Sequence, residues 1–518
     1  MLFDLIGRWR SGKLPWPSNA IPLLTRIRMA QQTPFGLELD LPVPEGSAVR
    51  WAAGASDALF GRADTSERQI SARGLTSALS AHCRRPSADR FRHLYALMDR
   101  SDAFTVVDGM MDKLEGAGIG QPQVAKVARR IANEAPDVGP VKLAVALLGA
   151  AGDSRDLETL HDLGRFEELT LYVAVAFCNL LTEPDEELWR LAKATHGWGR
   201  IQTIHCLAET TDPAIKAWLL REGHHNAVMA EEIAYVCATT GGLRDALAEA
   251  ELDAELLDAA GELIVALLQG GPAQDIHDYA DGPEVLNKFL RHLNADPTLT
   301  VNRFNVAARI RSFVAEPLDR SVWSPQVLFD LRTGVAAYLS RTDWRDAVLQ
   351  TLQSDDRITF FQAAEAGATL GVDVWPYHFA RQRDHRTGDW YWLMQTDDPM
   401  QAREVVALAE AQLDLKKVAS GPGLTLGLGF EFEDDGAMDF VVQDLHRFPG
   451  VGWTLIEVAL SARGVRLRNM ATKALHGWGR ENWPAEAPRV VREALAREPD
   501  ETVRSALTDL LSDRPVGR

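Results

Sequence analysis

His196-Gly197-Trp198-Gly199-Arg200 and His476-Gly477-Trp478-Gly479-Arg480 are the same five-residue word, and each closes an Ala/Leu/Lys-rich stretch that reads as a helix. A rare word in matching surroundings implies an internal repeat. The copies begin 280 residues apart, about seven units of the ~40 residues typical of two-helix repeats. This predicts an all-α stack of antiparallel helix pairs. The recurring residues His196, Trp198, Arg200 and His476, Trp478, Arg480 suit packing and punctuation. A Trp beside a helix-ending Gly can fold back across its hairpin, and the Arg can pair with an acidic residue of the next unit.

Composition is compatible with such an array. At 518 residues the chain exceeds one core and is either several globules or one extended stack; repeats favour the stack. Hydrophobic content of 46% and charged content of 25% are ordinary for a folded protein. The formal charge of −18 repels phosphate backbones and anionic lipid surfaces, which disfavours nucleic acid and membrane as partners. Cys83, Cys178, Cys206 and Cys237 include no C-x-x-C pair, so a reducing, cytoplasmic setting is expected. Asp4, Arg8 and Arg10 interrupt the start where a signal peptide would be apolar. The longest apolar run, Leu169 to Leu181, is too short to span a bilayer and reads as a buried helix.

Four segments follow from the pattern. Residues 1–85 read as an irregular cap, since Pro15, Pro17, Pro22, Pro34, Pro42 and Pro44 forbid long helices and Phe35 to Leu41 alternates like a short strand. Residues 86–415 read as a helical array, with helices over Gln123–Asn133, Val141–Ala150, Glu167–Leu181, Glu187–Thr195, Pro213–Arg221, Met229–Thr240 and Asp253–Gln269. Gly241-Gly242 and Gly270-Gly271 stand where left-handed C-caps are wanted, and Asp212-Pro213 supplies an N-cap followed by an N1 proline. Residues 416–436 read as a Gly-rich, acidic linker or loop, and 437–518 as further helix pairs.

In Glu501 to Leu511 the apolar positions Val503, Leu507, Leu510 and Leu511 fall on one helical stripe, with Arg504 beside it. Val465-Arg466, followed by Met470, Ala471, Ala474 and Leu475, has the same form. In these residues the chain resembles HEAT-repeat proteins, whose second helix commonly begins Asp-x-x-Val-Arg. The resemblance is good over about 450–512 and patchy from 120 to 400. It implies an α-solenoid that binds protein along a concave face, and it implies no chemistry. Thr210 to Gly223, Leu426 to Gly429 and Arg447 to Gly450 also look like uncharacterised bacterial HEAT-repeat proteins. Some of those carry a limonene hydroxylase label, which implies an enzyme acting on a small apolar molecule. HEAT-like DNA-repair proteins are a further reading, requiring a Lys/Arg-lined concavity.

No catalytic constellation is legible. Oxygenase chemistry needs a flavin, a haem, or open iron held by two histidines and a carboxylate. Gly421 to Gly429 lacks the strand and helix that frame a dinucleotide loop, and Glu431, Glu433, Asp434 and Asp435 would repel a pyrophosphate. His205, Cys206, His224, His225, Glu231, Glu232 and Cys237 lack metal-ligand spacing. Cys206 and Cys237 are expected in the core, and His224-His225 at an exposed hairpin tip. Asp275, His277, Asp278 and Asp281 read as a helix-capping loop. No cofactor or metal is therefore assigned.

Trp375 to Trp392 is the most unusual composition in the chain. Trp375, Tyr377, His378, Arg381, Arg383, Arg386, Trp390, Tyr391 and Trp392 combine rings with guanidinium groups, the side chains that dominate protein-binding hot spots. The competing reading buries Trp375, Phe379, Trp390 and Trp392 between two helices and leaves the arginines on the turn. The expected function is a scaffold or adaptor, not an enzyme, holding a protein partner on a helical surface; any small-molecule ligand is left open.

Overall fold

The computed structural model describes residues 14–30, 32–33, 36–37, 52–55, 57, 69–116, 118–271, 273–427 and 429–512. Among them the protein is all-α, apart from a two-residue antiparallel pairing of Gln32–Thr33 with Gly36–Leu37 and an isolated Thr425–Gly464 bridge. The chain forms two compact units that divide after Arg341. The boundary therefore does not fall in the Gly-rich segment 416–436, which lies inside the second unit.

Within the first unit the helices Val138–Ala151, Glu167–Leu180, Trp198–Cys206, Glu231–Gly241, Ala254–Gln269 and Val301–Ala315 form a row in which each packs on the next. The helices Gln121–Glu134, Asp185–Lys193 and Pro213–Trp218 each pack on the row helix that follows them in sequence. Amphipathicity accounts for this. In Gln121–Glu134, Val124, Val127, Ala128 and Ile131 are buried at i, i+3, i+4, i+7, while Lys126 and Arg130 lie off that stripe. Row helices need more apolar surface: Val138–Ala151 buries an almost continuous run from Pro140 to Leu148. Two of the expected caps are present, while Gly270, with φ +65° and ψ −167°, lies outside the left-handed helical region. Asp212 accepts hydrogen bonds from the Ala214 and Ile215 N–H groups, and Gly242 adopts φ +81° at the end of Glu231–Gly241.

Helical structure begins earlier than the proline content suggests. Gln69–Arg84 is a helix inside the segment read as an irregular cap; its text contains no proline, and the breakers all lie upstream. Leu23–Met29 is also helical, buries Leu23, Leu24 and Ile27, and is tied by Arg28 to Asp162 at 2.7 Å. Pro34, Pro42, Pro44 and the alternating residues 38–41 lie outside the described residues.

The two five-residue words occupy unlike places. In the first, the wholly buried Glu167 carboxylate accepts from the backbone N–H groups of His196, Gly197 and Gly199 at 2.9, 3.0 and 2.5 Å. The captured N–H groups are those a helix start leaves unpaired, so Trp198 opens a helix instead of following one. Gly199 is required by contact: a Cβ there would overlap Thr170 and Glu167. In the second word the helix Val465–Trp478 runs on through His476 and Gly477 and stops at Gly479, whose φ is +69°. Trp478 is buried and donates from Nε1 to the Leu445 carbonyl at 2.7 Å. Among the described residues Arg200 does not take the expected role of an acid's partner across the repeat. Arg200 donates to the carbonyls of Ala192, Thr195, Glu222 and Gly223, and Arg480 to that of Leu510. The words share wording, not repeat register.

In the second unit Glu433–Val442, Val465–Trp478 and Glu501–Ser512 form a similar row, paired with Trp453–Leu460 and Ala487–Arg497. Arg468 is fully buried and grips Glu498 with two 2.8 Å bonds while donating to the carbonyls of Ala462 and Gly423. Its bond to Gly423 helps hold the glycine-rich segment, which is a packed strap instead of a free linker. The Gly421 and Val465 N–H groups bond the Ser461 and Thr425 carbonyls at 3.0 and 2.8 Å, and side chains on Gly421 or Gly423 would collide with backbone of Ala462 and Arg463. Glycine here permits close backbone approach.

Removing one partner of the Arg468–Glu498 pair leaves a buried charge, so Arg468→Ala is expected to cost about 3–5 kcal/mol in urea unfolding, part of which Arg468→Ala/Glu498→Ala recovers. Gly199→Ala is expected to cost roughly 2–3 kcal/mol through overlap. Gly74→Ala, in a helix with open space around the new methyl, should raise stability by about 0.5–1 kcal/mol in the same assay.

Candidate functional site

The aromatic and arginine-rich segment lies in the second unit and folds as two short helices, Trp375–His385 and Trp390–Met394, with a tight turn between them. Pro376 occupies the first turn, where its missing N–H is not needed. The turn needs left-handed backbone: Arg386 has φ +51° and Gly388 φ +80°. Gln382, itself buried, fixes it by accepting from the Gly388 and Asp389 N–H groups at 2.8 and 2.9 Å, and its own amide bonds Gln412 at 2.7 Å. The angle between the two helices is thereby set by a side chain one turn upstream.

Beneath the surface lies a polar base. Asp389 is wholly buried and accepts from His378 Nδ1 at 2.9 Å, with Arg381 Nε 3.9 Å away. Arg381 reaches the Ser354 carbonyl and lies 4.1 Å over the Phe360 ring. Trp375 stacks on Phe379 at 4.9 Å and donates from Nε1 to the Leu393 carbonyl, and Trp390 is buried. Arg383 and Arg386 are exposed, the former paired with Asp384, and Tyr377 is half-buried.

Above that base the rings face solvent. Trp392 is 48% exposed and Tyr391 42% exposed, although both sit beside the buried Trp390 and Leu393. Trp392 stacks almost parallel on His378 at 5.9 Å and tilts against Phe361 at 5.8 Å. Tyr391 meets Trp392 and Phe440 edge-on, and Phe440 is 38% exposed. Ile358 is exposed, and the Arg357 guanidinium lies over Phe361. The segment thus divides: Trp390, with Trp375 and Phe379, follows the core reading, while Tyr391 and Trp392 do not. Phe440 and Phe361 complete the patch from helices Glu433–Val442 and Arg357–Thr369, and the sequence reading did not include them. The only signal is their i, i+3 relation to other apolar residues such as Ile358.

Phe440 follows Asp439, whose carboxyl burial raises to about 6 although Arg466 at 3.0 Å opposes the shift. A carboxyl raised above its usual value near 4 favours the fold when protonated. Its contribution is therefore complete below about pH 4 and is lost as pH rises through about 6.

In the first unit, Cys237 is buried and Cys206 partly so, with burial and the neighbouring Cys178 thiol raising Cys206 to about 12. His224 does not stand at an exposed tip: it is 3% exposed, and with His225 it converges on Glu262, a residue absent from the sequence reading. The side chains of Asp275 and Asp278 bond backbone N–H groups of their own loop, at His277 and Asp275.

The chain matches no family model and no curated protein. Among solved structures it is similar to an engineered protein determined by crystallography, with 16% identity, coverage of 85% of this chain and 98% of that one, and a TM-score of 0.22. Among the described residues no helix is long and apolar enough to cross a membrane.

Asp439→Asn is expected to raise stability by on the order of 2 kcal/mol near pH 8 and to leave it unchanged below about pH 4, as read from urea unfolding at the two pH values.

Proposed function

We propose that this protein is a HEAT-type helical-repeat scaffold or adaptor, and that it holds a protein partner through the Tyr391, Trp392 and Phe440 rings. The observation that carries the reading is the combination of large exposed rings with a fixed buried base. Exposed aromatics on a soluble surface are unfavourable, and because each ring is already more than half covered, covering the rest removes roughly 60–120 Å² from water, about 1.5–3 kcal/mol by area. Because the turn is held by Gln382 and the Trp392 ring rests on His378, little side-chain freedom remains to be lost on binding. The partner that fits is a protein segment presenting an apolar or aromatic side chain to these rings, with an acidic group toward Arg357 beside Phe361. The rows of mutually packed helices support the repeat reading, because a stack grows by adding surface rather than core.

The test uses the full chain with a photo-crosslinking amino acid at position 392. A single protein should be captured, and that protein, purified, should bind the unmodified chain with Trp392→Ala and Tyr391→Ala each weakening Kd at least about tenfold in calorimetry. Trp390→Ala is unsuitable, since that ring is core. Equal affinity of the purified protein for Trp392→Ala and the parent chain, or capture of no protein, overturns the reading.

A further inference from the structure

The helix Pro213–Trp218 does not end normally. It widens into a π turn, Leu219–Gly223, and delivers His224 and His225 directly after it. Such turns are rare and occur frequently at functional sites. Four residues after His225, Met229 holds φ +43°, a conformation that a non-glycine residue adopts under constraint. The strained segment faces Glu262, about two turns before the end of Ala254–Gln269.

His224 Nε2 and His225 Nε2 lie 3.2 and 2.8 Å from the same oxygen, Oε2 of Glu262. The three candidate donor atoms all fall within 4.8 Å of one another. In a tetrahedral site with bonds of about 2.1 Å the donors stand roughly 3.4 Å apart, so a slight spreading of this cluster admits an ion. The imidazole rings are 4.3 Å apart between centroids, which disfavours two positive charges. Neutral imidazole and ionised carboxylate are the states a metal requires. The Nδ1 atom of His224 has no partner among the described residues, so Glu262 is the ring's polar anchor. Arg200, the nearby cation, spends its guanidinium on carbonyl groups.

One side of the cluster is open. The three residues line a cleft of about 350 Å³, shared with Asn226, Glu231 and Gln269, and the Oδ1 of Asn226 is buried without a partner among the described residues. We propose that His224, His225 and Glu262 bind one divalent transition-metal ion, of the zinc and iron(II) class that two imidazoles and a carboxylate favour, with a remaining coordination position open to this cleft. The site is separate from the aromatic patch and does not depend on the reading of that patch.

The full chain, stripped with chelator, is titrated with Co²⁺ and with Zn²⁺ and followed by visible absorption and calorimetry. One equivalent should bind, and His225→Gln and Glu262→Gln should each weaken Kd at least about tenfold. Both replaced residues are partly exposed, and melting followed by circular dichroism shows whether the variants fold. His224→Asn, at the buried position, is read by the metal-induced rise in Tm, which should be lost. Azide added to the Co²⁺-loaded protein should change its visible spectrum. Absence of saturable binding, or affinity unchanged in the two folded variants, overturns the site. A spectrum unmoved by azide overturns the open position.

Discussion

Short helices leave many carbonyl groups without intrahelical partners, and this chain is built of little else. The groups are taken up by arginine. Arg200 bonds the ends of two helical segments, Arg332 the Val314 carbonyl, Arg447 those of Met394 and Thr396, Arg468 that of Ala462, and Arg504 those of Glu498 and Pro499. A guanidinium carries five donors in a rigid fork and stays charged when buried, so one side chain closes several ends at once. Where carboxylates join, as with Asp258 and Asp296 around Arg303 or Glu498 at Arg468, the buried charge is neutralised locally. Packing of the rows depends on this, since an unsatisfied carbonyl between two apolar helices would cost more than a methyl contact returns.

The same device sets the surface. Around Asp389, His378 and Arg381 form a buried polar base, and Gln382 fixes the turn above it. The rings of Tyr391 and Trp392 are held outward because the inward positions of their five-residue helix are already filled by Trp390, Leu393 and Met394. At His224 the cause is different. A π turn shifts the following residues relative to a regular helix, and that shift turns a buried imidazole toward Glu262 in place of the solvent.

Much of the helical text could be read directly. Gln123–Asn133 and Val141–Ala150 lie within the observed helices, and Glu167–Leu181 overshoots by one residue, because apolar spacing and proline or glycine stops act locally. The five-residue words could not be placed this way. Identical residues open one helix and close another, since the first copy meets Glu167, about thirty residues upstream, and among the described residues the second meets no such carboxylate at its N–H groups. The glycine-rich segment is ambiguous for a similar reason: glycine signals freedom in isolation and close approach in a packed setting, and only the Ala462–Gly464 backbone decides between them. Glu262 stands in the apolar text Ala259 to Ala266, with nothing nearby in sequence to mark it.

By itself, then, the amino-acid order determined the helical class, the positions of most helices and their caps, and the concentration of rings and arginines at 375–392, all of which depend on residues within a few turns of each other. Tertiary structure alone decided which rings face water, where the two units divide, and that His224 and His225 meet Glu262. Those outcomes depend on contacts between side chains brought together from different elements, such as Phe361 and Phe440 against the rings or Glu262 against His224 and His225, and local periodicity carries no information about such pairs.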